Sequence, residues 1–327
     1  MLLAGDIGGT HTRLALYDAP LVRSPLREDA LPSRSFSSLE AAVQAFLGPR
    51  PPRLSAAAFG IAGPVVDGRV KTTNLPWQVD ERKLAARLRI PKVRLINDLV
   101  AIAFGASSAP AKKLVRLQGG PSPRAKRATV AVLAAGTGLG EAALVSDGSR
   151  LVPCGSEGGH ADFAPRTTLE WELFEFLALR VKGRVSYERV LSGPGLGNIY
   201  DFLRDKKRRK ESAVVAKALS TSPDRNLSIT EHGLAKASSV CREALEIFLG
   251  VYGAEAGNLA LKFLATGGVF VAGGIAASLL PLLRQGAFLE AFLNKGRLRP
   301  LLEKVPLTVV PDSKVGLAGA ARYASSL

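Results

Sequence analysis

Apolar positions along the chain fall into short runs separated by glycine turns and by stretches of helical spacing. Residues 2–7 and 12–18 flank "GGTHT" and read as a hairpin with a glycine-rich tip. "LSAAAFGIAGPV" (54–65) has the pattern of a buried strand running into a turn, and "KVRLIND" (92–98) that of another strand ending at Asn97 and Asp98. Between them Asp80 can cap a helix through "ERKLAARL". Strand alternating with helix indicates an α/β fold.

Beyond "APAKKLVRLQGGPSPRAKR" (109–127) the layout starts again. "TVAVLAAGTGLGEAALVSDG" (129–148) repeats strand, glycine-threonine tip and strand, an internal echo of the first hairpin. Helical spacing follows at about 168–181, 189–203 and 231–264. After these come a strand at 268–274, a helix, a strand at 306–312 and an alanine-rich helix from Gly316.

"VRLINDLVAIAFGA" (93–106) sets an amide and a carboxylate between two apolar runs. An unpaired buried carboxylate is costly, so Asn97 and Asp98 are expected to be hydrogen-bonded, exposed at the lip of a cleft, or both.

A chain of 327 residues exceeds one ordinary core and predicts about two domains with a cleft between them. With 47% hydrophobic and 22% charged residues, global disorder is excluded. The formal charge of +16 favours anionic ligands without choosing between ATP and DNA. Its one dense run, "RDKKRRKE" (204–211), reads as a solvated loop or helix face, with contact to nucleic acid or an acidic partner as the alternative. Cys154 and Cys241 make neither a disulfide framework nor a paired zinc site, which fits a reducing cytoplasm. The first residues, reaching Asp6 at once, read as a strand rather than a signal peptide. Residues 263–283 are uncharged over a membrane-spanning length, but two Gly-Gly pairs and Pro281 divide them into strand, turn and helix start.

The two tips carry the first candidate chemistry. "DIGGT" (6–10) and "AAGTGLG" (134–140) each offer unobstructed backbone N–H groups and a hydroxyl, from Thr10 and Thr137, suited to phosphate oxygens. A single such tip is equally a turn that needs positive φ, whereas two can clamp a polyphosphate from both sides. No Gly-Lys dipeptide is present, which excludes a Walker A loop, and no strand-GxGxxG-helix unit stands out. In "VFVAGGIAAS" (269–278), Gly273 and Gly274 would let a flat ring approach the backbone, or serve packing alone.

"SEGGHADFAP" (156–165) joins Glu157 to His160 through two glycines, a loop that can wrap a small polar molecule. A metal site lacks further ligands beyond Asp162, and His160 can equally be a structural histidine. Glu188 reads as a solvated carboxylate at a helix start near a capping Ser186, and Asn74 as part of the turn before Pro76 and Trp77.

"GDIGGTHTRLAL", "NLPW", "INDLVA", "GTGLG", "SEGGHADFAP", "ERVLSGPGL" and "VFVAGGI" occur in one order from residue 2 to about residue 323. In this the chain resembles the bacterial glucokinase family of the actin-like ATPase and sugar kinase superfamily. The resemblance implies a two-domain α/β actin-like ATPase (ribonuclease H-like) fold with an active-site cleft. Its smaller domain would be 1–110, with the helix from about 316 packed back on it, and its larger one 111–327. It implies phosphorylation of D-glucose at the 6-hydroxyl by ATP and Mg²⁺, in a cytoplasmic homodimer with no membrane or nucleic-acid partner.

By that resemblance Asp98 is the catalytic base, and Asn74, Asn97, Asp98, Glu157, His160 and Glu188 bind the sugar. Gly8, Gly9 and Thr10 would face the phosphates from one side and Gly136, Thr137 and Gly138 from the other. Gly273 and Gly274 would face the adenosine, and Asp6 the water-held magnesium. No metal site made wholly of protein groups is expected.

Two positions depart from the family pattern. Glu141 stands where a small or apolar residue is usual, and strand alternation lets it point away from phosphate; Lys314 brings charge to an expected neutral turn. The alternatives are a kinase of another hexose or amino sugar and a non-catalytic sugar-sensing regulator. Two cysteines cannot supply the cysteine-rich zinc motif of the related kinase and repressor group, and no helix-turn-helix precedes residue 2.

Overall fold

The computed structural model describes residues 1–18, 24–72, 74–119 and 128–327. The strands are β1 (Leu2–Ile7), β2 (His11–Tyr17), β3 (Arg27–Pro32), β4 (Ala56–Ile61), β5 (Arg69–Lys71), β6 (Gln78–Asp80), β7 (Val93–Asn97), β8 (Val115–Gln118), β9 (Val130–Ala135), β10 (Leu139–Ser146), β11 (Leu151–Ser156), β12 (Gly268–Ala272) and β13 (Leu307–Val309). One sheet has the order β3-β2-β1-β4-β7, a second β11-β10-β9-β12-β13-β8, and β5-β6 is a separate hairpin. The chain therefore folds as α/β with mixed sheets. Two compact units form, one of residues 1–113, 142–156 and 312–327, the other of 114–141 and 157–311. The end of the Pro- and Lys-rich connection, 120–127, lies outside the described residues.

In the first unit β1 runs antiparallel to β2 and parallel to β4, and β4 runs parallel to β7. All six residues of β4 are buried, as expected of a parallel strand covered on both faces. Alternation along the strands sorts the two covers. Leu3, Leu14 and Phe59 meet Val43, Phe46 and Leu84 of the helices Leu39–Leu47 and Glu81–Leu88. Leu2, Ala4, Ala15 and Ala58 meet Leu317, Ala320 and Ala321 of the helix Val315–Ala324.

That last helix also packs against the helix Asp98–Ser108 with almost no space between backbones. A methyl on Gly319 would lie 1.7 Å from the Ala101 carbonyl oxygen, and one on Gly105 2.0 Å from that of Val315. Glycine at both positions is what lets the two helices meet. Lys314, just before, pairs with Glu28 at 2.9 Å.

In the second unit β9, β12 and β13 are parallel and β8 closes the edge antiparallel to β13. The region 231–264, whose spacing predicts one helix, forms two: Arg225–Leu234 and Ser239–Lys262. Lys236 takes a left-handed conformation with φ 56°, and Ser238 caps the second helix by accepting the Cys241 N–H. The segment 189–203 becomes helical only at Gly193, after the cap Ser192, and ends in an irregular turn over Phe202–Lys206. The basic run folds onto carboxylates of this chain. Arg204 pairs with Asp201 and Asp205, Lys207 with Glu172, and Arg209 with Glu243. Residues 263–283 divide into a turn, β12 and two short helices, and among the described residues no helix is long and apolar enough to cross a membrane.

Glu141, on β10, points into this unit's interior and is 1% exposed, so it does face away from the tip that precedes it. Glu255, fully buried, accepts hydrogen bonds from Asn258 Nδ2 (2.8 Å) and Lys262 Nζ (3.0 Å). Among the described residues Glu141 Oε1 has no hydrogen-bond partner. Burial first, then repulsion from Glu255, pushes the Glu141 carboxyl up to about 7, with Lys262 opposing.

Two measurements check these features. Gly319→Ala should lower stability by about 1–3 kcal/mol through overpacking, read as a lower urea midpoint, and an unchanged midpoint would contradict the close helix contact. For Glu141 the native value lies above the ordinary 4.5, so the native state binds the extra proton. The resulting stability is complete below about pH 4.5 and is lost as pH rises through about 7, a difference on the order of 3 kcal/mol. Glu141→Gln should remove this fall, so that urea midpoints of variant and parent diverge in favour of the variant between pH 5 and pH 8.5. Parallel pH profiles would show that Glu141 titrates as an ordinary carboxyl.

Candidate active site

In the first unit the turn after β1 is pinned from its outer side. Gly8 N–H donates to His11 O (3.0 Å), Ser33 N–H to Thr10 O (2.9 Å) and Ser33 Oγ to Gly8 O (2.7 Å). No backbone partner takes the N–H groups of Gly9 or Thr10 among the described residues. This leaves amide donors fixed and available to an anion. Asn74 lies against this tip, since a methyl on Gly9 would sit 2.7 Å from its Cβ. Asp6 pairs with Arg13, its cross-strand neighbour, at 3.3 Å. Burial raises its pKa and the Arg13 guanidinium opposes that rise.

Asn97 and Asp98 stand where β7 becomes the helix Asp98–Ser108. Asn97 is the N-cap: its Oδ1 accepts the N–H groups of Leu99 (2.9 Å) and Val100 (3.4 Å), while Nδ2 donates to Gly63 O (3.4 Å). Asp98 is the first helical residue, and its Oδ1 accepts the Leu99 N–H at 2.9 Å. A carboxylate in that position is stabilised by unpaired amide donors and by the helix dipole. The apolar flanks are the buried strand and the buried helix face, so the polar pair marks the joint between them.

In the second unit the other predicted residues gather around the β9–β10 tip. Gly136 N–H donates to Gly138 O, and Gly193 N–H donates to Gly136 O, both at 2.8 Å. Glu188 Oε2 accepts the Leu139 N–H at 3.0 Å, and a methyl on Gly138 would lie 2.5 Å from that same oxygen. Ser186 makes no side-chain cap, and Glu188 braces the tip instead of standing in solvent at a helix start. Thr137 and Gly138 keep their N–H groups without backbone partners among the described residues.

The loop 157–160 packs on the same tip, since a methyl on Gly159 would lie 1.9 Å from Leu139 O. It presents His160 Nε2 and Glu157 Oε2, 4.0 Å apart and half exposed. Arg184 holds the loop by donating to His160 O, and it pairs with Asp162 at 3.0 Å. Gly273, at φ 89°, comes so close to β9 that a methyl would lie 2.5 Å from Ala135 O. Gly274 opens the short helix after it.

Several supports were not singled out by sequence. The buried Tyr252 hydroxyl accepts the Ala135 N–H and donates to Ala272 O, both at 3.4 Å, tying the ends of β9 and β12 together. Desolvation raises its pKa, so the hydroxyl keeps its proton. Gly193 and the Asp6 partner Arg13 belong to the same group. The one available signal was "SGPGL", a serine cap with proline in the first turn, which announces the helix but not its bond to Gly136.

Each unit thus presents an anion-ready turn. The first adds a carboxylate at a helix start, and the second a loop with the half-exposed polar side chains Glu157 and His160. Comparison with known proteins agrees with this chemistry. The profile of the family described as Glucokinase matches residues 3–327. A glucokinase of Synechocystis is 41% identical, with 98% of this chain and 96% of that protein aligned. The crystal structure of glucokinase from an Antarctic psychrotroph superposes with a TM-score of 0.83 at 29% identity, covering 100% of this chain and 99% of that one. A Streptomyces griseus ROK family glucokinase, solved with glucose and AMPPNP, shares the fold with a TM-score of 0.67 at 21% identity, over 100% and 99% of the two chains. On a family match along nearly its whole length and relatives of this identity, the chain belongs to the glucokinase family, the ATP-dependent hexose kinases.

Proposed function

We propose that this chain, within its family's activity, transfers the γ-phosphoryl group of ATP to the 6-hydroxyl of D-glucose, with Asp98 as the base, on an actin-like ATPase (ribonuclease H-like) fold. The observation that carries this reading is the position of Asp98 at the first residue of a helix, one step beyond a side-chain cap. A carboxylate anchored on rigid backbone can accept the proton of an alcohol whose own acidity is far too weak. As the oxygen attacks phosphorus, its proton passes to the Asp98 carboxylate and the bond from phosphorus to the β-phosphate oxygen breaks. Asn97, whose Oδ1 is spent on the cap and one of whose Nδ2 hydrogens goes to Gly63 O, has the second Nδ2 hydrogen to donate toward a sugar hydroxyl.

Glu157, His160 and Glu188 bind hydroxyls in this reading, with Asn74 as a further contact. Gly9 and Thr10, and Thr137 and Gly138, donate backbone and hydroxyl hydrogen bonds to the phosphates in this reading, while Gly8 and Gly136, whose N–H groups are taken by His11 O and Gly138 O, shape the turns and leave room for the phosphates to approach. Gly273 and Gly274 leave space for adenosine. A Streptomyces relative of the same fold, solved with glucose and an ATP analogue, supports the choice of both substrates. Mg²⁺ fits the residues present. Asp6 is one carboxylate whose burial disfavours its charge, and magnesium needs only one or two carboxylates beside phosphates and water. When bound, the ion would neutralise phosphate charge. The reading extends to a cytoplasmic homodimer, which rests on the family resemblance and is checked by light scattering.

Asp98→Asn should keep glucose binding in calorimetry while kcat falls about 10²–10⁴-fold in a coupled ADP-release assay; equal turnover would remove Asp98 from the base role. Glu157→Gln should instead raise KM for glucose about tenfold or more, with KM for ATP unchanged. Unaltered kinetics would take Glu157 out of the sugar set. Turnover with mannose, fructose and N-acetylglucosamine beside glucose tests the sugar itself, and faster turnover of any of them than of glucose would move the substrate assignment.

A further inference from the structure

The second tip has a neighbour with no assigned task. Gly136 O is bound by the N–H of Gly193, at the start of the helix Gly193–Asp201. The point where a methyl on Gly193 would sit is 3.6 Å from Gly136 O and 3.8 Å from Nδ2 of Asn226. One helical turn on, a methyl at Gly197 would lie 2.6 Å from Asn226 Oδ1. The side chain of Asn226 thus lies along a bare strip made by two glycines four residues apart, with its carboxamide directed along the flank of the tip.

The backbone of Asn226 is fully occupied. Its N–H donates to Asp224 Oδ1 (3.1 Å), and its carbonyl accepts from Thr230 Oγ1 (3.1 Å). Its neighbour Arg225 reaches the Gly197 end of the same strip, with Nη1 3.9 Å from the methyl position, but its charge is committed to Asp201 at 2.5 Å and its guanidinium lies 5.2 Å from the Tyr200 ring. The carboxamide itself, on a half-buried residue, has no hydrogen-bond partner among the described residues. Two donors and an acceptor therefore stand beside the tip, within reach of solvent or a ligand.

We infer that Asn226 is a specificity-determining residue, whose carboxamide reads the adenine of the phosphoryl donor. The inference rests on the reading of residues 136–138 as a phosphate cradle. A nucleotide whose phosphates lie on that tip has its nucleoside beside it, and Gly193, half-buried and without a side chain, leaves room for a flat base next to the carboxamide. Adenine offers a donor and an acceptor side by side on its N6/N7 edge, which a carboxamide matches with two hydrogen bonds. Guanine offers two acceptors on that edge, and the carboxamide oxygen then has no donor to meet.

The test compares the parent with Asn226→Ala and Asn226→Asp in kcat/KM for ATP and for GTP. It adds the inhibition constant of inorganic tripolyphosphate, a donor mimic without a base, and KM for glucose. In Asn226→Ala the ratio of ATP to GTP efficiency should fall about tenfold to a hundredfold, chiefly through ATP, while tripolyphosphate inhibition and the glucose KM stay within about twofold. Asn226→Asp keeps the shape but loses both donors, and it should lose ATP preference as well. An unchanged ATP to GTP ratio in both variants overturns the inference. So does equal weakening of ATP and tripolyphosphate, which would make Asn226 a support of the tip. Gly138→Ala, whose methyl would lie 2.5 Å from the Glu188 oxygen that braces the tip, tests the cradle separately: if ATP and tripolyphosphate bind it as they bind the parent, the reading of the tip fails whatever Asn226 does. Far-UV circular dichroism and melting confirm that each variant is folded, and if Asn226→Ala is not, Asn226→Asp alone decides.

Discussion

A phosphate-binding turn must meet two opposed demands: its amide donors have to stay unpaired, and they have to stay still. An unpaired backbone N–H is tolerated only where water or a ligand can reach it, so such a turn can spend few of its own donors on stiffening itself, and here each spends one, from Gly8 to His11 O and from Gly136 to Gly138 O. The rest of the stiffness has to come from the groups around it. In the second unit Gly193 takes the Gly136 carbonyl, Glu188 takes the Leu139 N–H, and the Gly159 backbone presses on the Leu139 carbonyl. Tyr252 ties the strand that leads into the tip to its neighbour. In the first unit Ser33 does the same work from outside the turn. The supports engage the ends of each turn and leave its middle amides unpaired, the preorganisation that the proposed phosphoryl transfer would use.

The same demand explains the carboxylate next to the tip. On β10 the side chains alternate from Leu139, so whatever follows Gly140 is turned inward. A charged residue there is kept away from phosphate at the cost of burying it beside Glu255. Desolvation first and then Glu255 raise the Glu141 pKa, and Lys262, bonded to Glu255, opposes that rise only in part. Moving the carboxylate to the outer face would have required a one-residue slip of β10, which would also turn the buried Leu139 and Ala143 outward.

What could be read from the sequence follows from how local each feature is. The hairpins at 2–18 and 129–148, β4, β7 and the helix 168–181 are set by short-range periodicity and turn residues, and the structure has them where the pattern puts them. Asn97 and Asp98 were legible as a chemical anomaly between apolar runs. Their place at the change from strand to helix was less so, because "INDL" reads equally as a strand end and as a capped helix start. The break at 235–238 was hidden by apolar spacing that continues through it. The partners of the basic run were not legible at all, since Glu172 and Glu243 are 35 and 34 residues away from Lys207 and Arg209. Tyr252 and Asn226 belong to the same class: nothing in their neighbours along the chain marks them, and only the fold brings them to the tip.

Glu188 links two parts of the proposed chemistry through a single side chain. One of its oxygens is committed to Leu139 N–H, at the foot of the phosphate tip. In the proposed reading, a sugar hydroxyl that donates to Glu188 would draw electron density from the same carboxylate that braces that foot, so sugar and nucleotide would not bind to independent groups. The coupling needs no displaced domain and no relay of side chains, because the shared group already touches the turn. Gly138 makes it possible, as any larger residue would push the Glu188 carboxylate off the Leu139 amide. In the second unit the glycines at 138, 159, 193 and 273 thus have one physical role in common. Each removes a side chain where a carboxylate, a carbonyl or a neighbouring strand must come within bonding distance of the tip.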